Sequence, residues 1–125
     1  LFMGLFMLYG FLLIYLRDFA PDKEAWIAND STGPHFESRL AHVHGNHFAF
    51  LNIVIGFVLL KSRMPVRQHR TISWIALSGM LMPVGILLEI YLHVSPIFVL
   101  IGAVFIVLAV VLTGLYFLRT KEPLS

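Results

Sequence analysis

The sequence predicts an all-α integral membrane protein, a four-helix bundle in one transmembrane domain (residues 1–125) with both termini in the cytoplasm. Hydrophobic residues make up 58% of the chain and charged residues only 13%, whereas soluble domains carry roughly 25% charged residues. The mean hydropathy is +0.84. Apolar residues form four long runs, and the charged residues lie in short blocks between them. Runs of this length favour membrane helices over barrel strands.

The four apolar runs define the expected spans, which lie at about 1–16, 39–60, 72–93 and 96–118. The first run is shorter than the roughly 20 residues that a crossing helix needs. We therefore expect that further residues precede Leu1 and complete this span. Ser95 and Pro96 are typical of a helix N-cap and of the first helical position, so they mark the start of the fourth span.

The connections between the spans predict the orientation of the chain. The connection 61–70 holds four basic residues and no acidic residue, and the C-terminal tail adds Arg119 and Lys121. The connection 17–38 holds five acidic and two basic residues. Because cytoplasmic loops are enriched in Lys and Arg, we expect 61–70 and both termini in the cytoplasm. The connection 17–38 and the turn at 94–96 are then outside.

Two local patterns predict structure within the outer connection. The segment "PDKEAWIA" is typical of a short interfacial helix, with Trp26 at the depth of the lipid headgroups. The segment "TGPHFE" is typical of a helix start, with Pro34 in the first turn. The second long helix is therefore expected to begin near residue 34, before it enters the membrane.

The chain has no cysteine, which excludes disulfides, thiolate metal sites and covalently attached haem. Its pI of about 9.2 does not indicate a nucleic-acid partner, because the basic residues lie between membrane spans, where topology explains them. The expected surroundings are a lipid bilayer, most simply the bacterial inner membrane. A redox protein, a larger membrane complex or a second copy of the chain are the partners we expect.

The segment "LAHVHGNHFAF", residues 40–50, places three histidines in six positions. The predicted topology brings them to the periplasmic, outer side of the membrane, together with the outer end of the third span. Ionisable side chains within spans are costly and mark functional sites by default, whereas His69 lies apart in the basic connection. The candidate site residues are His35, Arg39, His42, His44, His47, Glu89 and His93.

Helical periodicity divides the second span into two faces. At about 100° per residue, the residues His35, Arg39, His42 and Asn46 form one polar stripe, continued by Ala49. Small residues beside this stripe allow another helix or a flat cofactor to approach closely. His44 and His47 are three residues apart and point to the other side of the helix.

One interpretation of this pattern is a haem b held between the second and third spans. Neutral imidazole ligates haem iron, and non-covalent haem needs no cysteine. His42 and His93 are the expected axial pair, and Arg39 and His35 lie where the propionates would meet the interface. The function would be electron transfer or the sensing of a small gas.

Two other interpretations stay open. His44, His47, Glu89 and His93 form a ligand set of the type that binds copper, iron or zinc ions. An open coordination position there would permit enzymatic chemistry. Alternatively the chain is an accessory structural subunit of a larger membrane redox complex, and its polar residues contact partner subunits.

The stretch "SRLAHVHGNHFAFLNIVIGFVLL" resembles the histidine-bearing second helix of subunit I in the haem–copper oxidase and nitric oxide reductase superfamily. In that family an arginine precedes a histidine that ligates the low-spin haem b, and Arg39 and His42 match this R-x-x-H spacing. The stretch is also similar to small four-helix membrane proteins that resemble cytochrome c oxidase subunit I. Their A-H-x-H-x-N segment matches Ala41, His42, His44 and Asn46.

The resemblance implies that His42 or His44 ligates a haem. It covers about twenty residues, and His47 stands where an apolar residue is expected. The chain is too short for the twelve helices of a complete oxidase, and no second helix carries the paired histidines of a copper site. The resemblance therefore implies haem binding or a supporting role, not the complete reduction of oxygen.

Overall fold

The computed structural model describes residues 1–28 and 33–120, and this part of the chain is helical with no strand. The predicted all-α class is therefore confirmed. Asp30, one of the acidic residues of the outer connection, and Lys121 lie outside the described residues. The helices are α1 (Phe2–Asp18), α2 (Lys23–Ala28), α3 (Pro34–Lys61), α4 (Val66–Ser78), α5 (Leu81–Leu92) and α6 (Ile97–Thr120).

Three helical segments are long and apolar enough to cross a membrane: α3, the combined α4 and α5, and α6. They correspond to the second, third and fourth predicted spans. The first predicted span forms α1, whose 17 residues are fewer than the roughly 20 that a crossing helix needs. The orientation of the chain in the membrane stays a prediction.

The third predicted span consists of two helices, because Pro83 interrupts the hydrogen bonds of the backbone. Proline has no amide hydrogen, so it kinks a helix and leaves an earlier carbonyl without its usual partner. The Met82 amide instead donates to the Gly79 carbonyl at 3.1 Å, and the Met80 amide donates to the Leu77 carbonyl at 3.0 Å. These tighter bonds replace about one α-helical turn between α4 and α5.

Both connections that flank α3 contain helical residues, but only the basic connection 61–70 is more helical than the sequence predicts. Residues 62–65 are its non-helical part, because α3 ends at Lys61 and α4 begins at Val66. The outer connection contains α2 around Trp26, as "PDKEAWIA" predicts, and α3 begins at Pro34, as predicted from "TGPHFE". The long helix α3 therefore carries its first turn beyond the expected membrane boundary.

The helix α3 is central, with α1 packed on one side and α4 and α5 on the other, while α6 packs on α4 and α5. Glycines make the α5–α6 contact close. A Cβ atom at Gly85 would lie 2.9 Å from the backbone nitrogen of Val99, and one at Gly102 would overlap the backbone of Met82. This is the small-residue packing typical of membrane helices. The buried core includes Phe6, Phe48, Leu59, Ala76, Met80, Ile106 and Ala109.

Candidate functional site

The polar stripe of α3 faces α1 across a pocket of about 410 Å³, which we call the α1–α3 pocket. His35, Arg39, His42 and Asn46 all line it, so four residues of the predicted stripe share one surface. The partner of this stripe is the first helix, whereas the sequence interpretation placed the cofactor between the second and third spans. The wall contributed by α1 consists of Met7, Gly10, Phe11, Leu13, Ile14 and Arg17.

A hydrogen bond to α1 orients the ring of His42. Its Nδ1 lies 2.7 Å from the carbonyl oxygen of Phe6. A carbonyl only accepts, so this contact assigns the hydrogen to Nδ1 and leaves a lone pair on Nε2. The Asn46 side-chain nitrogen lies 3.4 Å from Nε2 and donates to the His42 carbonyl at 3.1 Å. Metal-ligating histidines are fixed in this way, by an Nδ1 hydrogen bond to a carbonyl.

The approach of α1 to His42 depends on a glycine. A Cβ atom at Gly10 would lie 2.5 Å from Cε1 of His42 and 3.0 Å from its Nε2. The neighbouring Tyr9 has its ring centroid 6.5 Å from that of His42. Its hydroxyl lies 3.1 Å from the hydroxyl of Tyr91 in α5. Residues of α1 thus lie against the half-buried imidazole, and Tyr9 also contacts α5.

Basic side chains occupy the end of the α1–α3 pocket that lies nearest the start of α3. Arg39 is exposed there. Arg17 forms two hydrogen bonds with the Asp18 carboxylate, at 2.8 and 2.7 Å. The hydrogen bonds from Arg17 lower the pKa of the Asp18 carboxyl, and the charge of Arg17 adds to this effect. The pair is exposed to solvent, so it does not close the pocket.

One polar atom beside the pocket is left without a partner. The side-chain oxygen of Asn46 is buried and accepts no hydrogen bond from the described part of the chain. A buried unsatisfied acceptor costs about 1–3 kcal/mol. This cost is removed when a donor from a ligand or a water reaches the pocket.

His35 lies at the junction of α2 and α3. It is buried, stacks on Trp26 with 4.7 Å between ring centroids, and has its Nδ1 2.7 Å from the Trp26 carbonyl oxygen. These contacts hold α2 against the start of α3. The predicted role as a propionate partner therefore competes with a structural role at this position.

The remaining predicted ligands lie away from the α1–α3 pocket. Nδ1 of His44 donates to the Leu40 carbonyl at 2.8 Å, and the side chain of His47 is exposed. His93 is exposed at the end of α5 in a left-handed conformation, with its Nδ1 3.4 Å from the Glu89 carbonyl oxygen.

These positions do not support an ion site built from the four predicted ligands. Within residues 1–28 and 33–120, no group of three or more His, Cys, Asp or Glu side chains could hold a metal ion. His93 is also not among the residues that line the pocket with His42. The structure therefore brings together His42, Arg39 and His35, but not the predicted axial pair.

The sequence interpretation missed the contribution of α1. This helix has no ionisable ligand in its apolar part, so it offered no obvious chemistry. Its contribution comes from a main-chain carbonyl, at Phe6, and from an absent side chain, at Gly10. The glycine was the available signal, since small residues in apolar helices mark close helix contacts.

Comparison of the chain with protein-family models, with curated proteins and with solved structures gave no significant match. The resemblance of the α3 stretch to the oxidase second helix therefore rests on its own residues and stays a prediction.

Proposed function

We propose that this chain is a membrane haem b protein that carries its cofactor in the α1–α3 pocket and serves in small-gas sensing or electron transfer. By the positive-inside rule, the pocket opens toward the outer side of a bacterial inner membrane. The observation that carries the proposal is the 2.7 Å contact between Nδ1 of His42 and the Phe6 carbonyl. It leaves a lone pair on Nε2 of this half-buried imidazole, beside Gly10 of α1, and we assign that nitrogen as the iron ligand.

The chemistry of the pocket fits this group. One wall supplies an oriented imidazole, the end near the start of α3 supplies the guanidinium group of Arg39, and α1 supplies apolar surface. Guanidinium groups suit carboxylates such as the propionates. The volume of about 410 Å³ lies within the usual range of ligand pockets. Bound haem would supply a redox-active iron able to take up a gas or an electron.

The residues of the chain have separate tasks in this proposal. The Phe6 carbonyl fixes the tautomer of His42 and the orientation of its Nε2. Arg39 neutralises an anionic group at the outer end. Asn46 offers a buried oxygen that accepts a hydrogen bond from a ligand. Of the two histidines that line the pocket, His35 is held by Trp26, which leaves His42 as the proposed iron ligand. One such ligand favours gas sensing over electron transfer, because pairing His42 with His93 would need His93 to move.

Absorption spectra test the proposal. The detergent-purified chain, supplied with haem, is measured after air oxidation and after reduction with dithionite. We expect a Soret band that His42→Ala abolishes and that His69→Ala, a control at the other end of the protein, leaves unchanged. Loss of the band in His93→Ala as well would indicate an axial pair. The absence of any Soret band from the unchanged chain would refute the proposal.

A second candidate function is that of an accessory subunit in a larger membrane redox complex. His47 is exposed although it lies about 21 Å along the α3 axis from Lys61, within the apolar span Pro34–Lys61. A polar side chain facing lipid is costly, and a partner helix on this face would remove the cost. We expect His47→Trp to weaken the association of the chain with partner subunits, measured by native mass spectrometry after mild solubilisation.

The matched control for this second candidate is Val107→Trp, since Val107 is 61% exposed on α6. A subunit role of the His47 face would be contradicted if the two tryptophan variants associate equally well with partners. It would also be contradicted if the unchanged chain is a monomer without bound partners in all conditions.

A further inference from the structure

A second pocket, of about 920 Å³, lies between α4 and α6 at the end of the molecule opposite to the α1–α3 pocket. We call it the basic-end pocket. Three arginines line it: Arg63 in the α3–α4 connection, Arg67 in the first turn of α4 and Arg119 in the last turn of α6. Two chain segments that are far apart in the sequence thus contribute like charges to one concave surface.

No acidic side chain among the described residues lines this pocket. From residue 38 to residue 121 the sequence has a single acidic residue, Glu89, which lies in the last turn of α5. That turn lies at the end of the α4–α5 span opposite to the basic-end pocket. Among the described residues, no acidic group of the pocket wall balances the positive charge of the basic-end pocket, and this charge favours an anion. Glu122, three residues after Arg119, lies outside the described residues.

The polar groups that accompany the arginines are partly occupied by the helices themselves. The hydroxyl of Thr71 donates to the Arg67 carbonyl at 2.9 Å, and the hydroxyl of Thr120 donates to the Tyr116 carbonyl at 2.9 Å. The guanidinium groups, with the side-chain amide of Gln68, are thus the donors toward a ligand. Their planar fork matches a phosphate group.

The rest of the wall is apolar. Ile72, Leu112 and Leu115 line the pocket one to two turns inward from the arginines, along helices that are apolar enough to cross a membrane. A small soluble anion would contact the arginines and leave this apolar wall uncovered. A ligand with a phosphate headgroup and an acyl chain covers both parts, because its polar and apolar portions follow the same order along the membrane normal.

We propose that the basic-end pocket binds an anionic phospholipid. Arg63, Arg67 and Arg119 hold the phosphate of the headgroup, and Ile72, Leu112 and Leu115 lie along one acyl chain. Basic pockets between membrane helices recognise anionic headgroups by this combination of charge and apolar surface. The proposal is independent of the haem hypothesis, since the two pockets share no residue.

Native mass spectrometry of the full chain in detergent tests this proposal, with phosphatidylglycerol and phosphatidylcholine as probes. We expect the unchanged chain to retain phosphatidylglycerol in preference to phosphatidylcholine. The double variant Arg67→Gln/Arg119→Gln should lower the affinity for phosphatidylglycerol about thirty-fold, from the usual contribution of each basic residue near a membrane surface.

The matched control is Lys61→Gln/Arg70→Gln, which removes two charges from the same end of the protein at positions that do not line the pocket. It should retain the preference for phosphatidylglycerol. An equal loss in both double variants would mean general attraction to a basic surface and would overturn the proposal. Circular dichroism of each variant establishes that it is folded.

A water-soluble headgroup distinguishes a lipid site from a phosphate site. Glycerol phosphate added at the same concentration should bind at least tenfold more weakly than phosphatidylglycerol, because it cannot cover the apolar wall. Binding of glycerol phosphate as tight as that of the lipid would overturn the assignment to a phospholipid. Leu115→Asn should weaken the binding of phosphatidylglycerol and leave the binding of glycerol phosphate unchanged.

Discussion

The ring of Phe6 in α1 fills the space that a side chain at Gly45 in α3 would occupy. Phe6 is 5% exposed and belongs to the buried core together with Phe48 and Ala49. This contact fixes the distance between α1 and α3. It also holds the Phe6 carbonyl in place for its hydrogen bond with His42, so the packing of the core and the orientation of the candidate ligand depend on the same residue.

Gly45→Ala should therefore destabilise the protein. The added methyl group meets a buried aromatic ring that cannot move without disturbing the core, and such overpacking costs about 1–3 kcal/mol. Gly56→Ala on the same helix is the control, because a Cβ atom there has no neighbour within 4 Å and alanine favours the helix. The apparent melting temperature in detergent should fall for Gly45→Ala and stay level or rise for Gly56→Ala. A similar change in both variants would contradict this account.

The α5–α6 contact gives a second prediction of the same kind. A Cβ atom at Gly102 would overlap the backbone of Met82, whereas one at Gly114, further along α6, has no neighbour within 4 Å. A backbone cannot yield as a flexible side chain can, so Gly102→Ala should destabilise the protein by more than Gly45→Ala does. The melting temperatures of Gly102→Ala and Gly114→Ala compare a closely packed position with an open position on the same helix. Equal stability of the two variants would show that α6 can move away from α5 at little cost.

The helical class and the approximate spans follow from the sequence because hydrophobic runs of membrane length have few alternatives. The polar stripe of α3 also follows, because helical periodicity alone places His35, Arg39, His42 and Asn46 on one side. Pro83 was a visible signal for the break between α4 and α5, but hydropathy is insensitive to it. The start of α4 at Val66 was hidden because a basic amphipathic turn has the composition of a loop.

The partner of the stripe could not be predicted from the sequence. Periodicity assigns a residue to a face of its own helix and does not identify the helix opposite that face. The histidines of the second span favoured a partner that also carried a histidine, which was His93. The contact is instead with α1, through the carbonyl of Phe6 and the bare backbone of Gly10. A main-chain carbonyl has no signature in a sequence, and a glycine marks a close helix contact without identifying the partner helix.

The contact between His35 and Trp26 predicts the behaviour of the outer connection. His35→Ala removes both the ring stacking and the hydrogen bond to the Trp26 carbonyl, so α2 should detach from α3. In a Trp74→Phe background, Trp26 is the single tryptophan. Acrylamide should quench its fluorescence more strongly when His35→Ala is added than without this substitution. Phe36→Ala is the neighbouring control, since Phe36 is 43% exposed. Unchanged quenching in His35→Ala would mean that other contacts hold α2.

The close approach of Gly10 to His42 gives a prediction that a double-mutant cycle can test. All three of the nearest atoms to a Cβ at Gly10 belong to the His42 ring. Gly10→Ala should therefore lower the apparent melting temperature of the otherwise unchanged chain. In a His42→Ala background these three contacts are absent, so the same substitution should be much less destabilising or neutral. Interaction energies between contacting residues are typically about 0.5–3 kcal/mol, and we expect a value in this range.

Gly4→Ala is the control on the same helix, because a Cβ atom at Gly4 has no neighbour within 4 Å. Its effect should be the same in both backgrounds. If Gly10→Ala destabilises the His42→Ala variant as much as it destabilises the unchanged chain, then the imidazole does not lie against α1. The haem hypothesis would then lose the oriented ligand on which it depends, whereas the lipid site at the basic end would be unaffected.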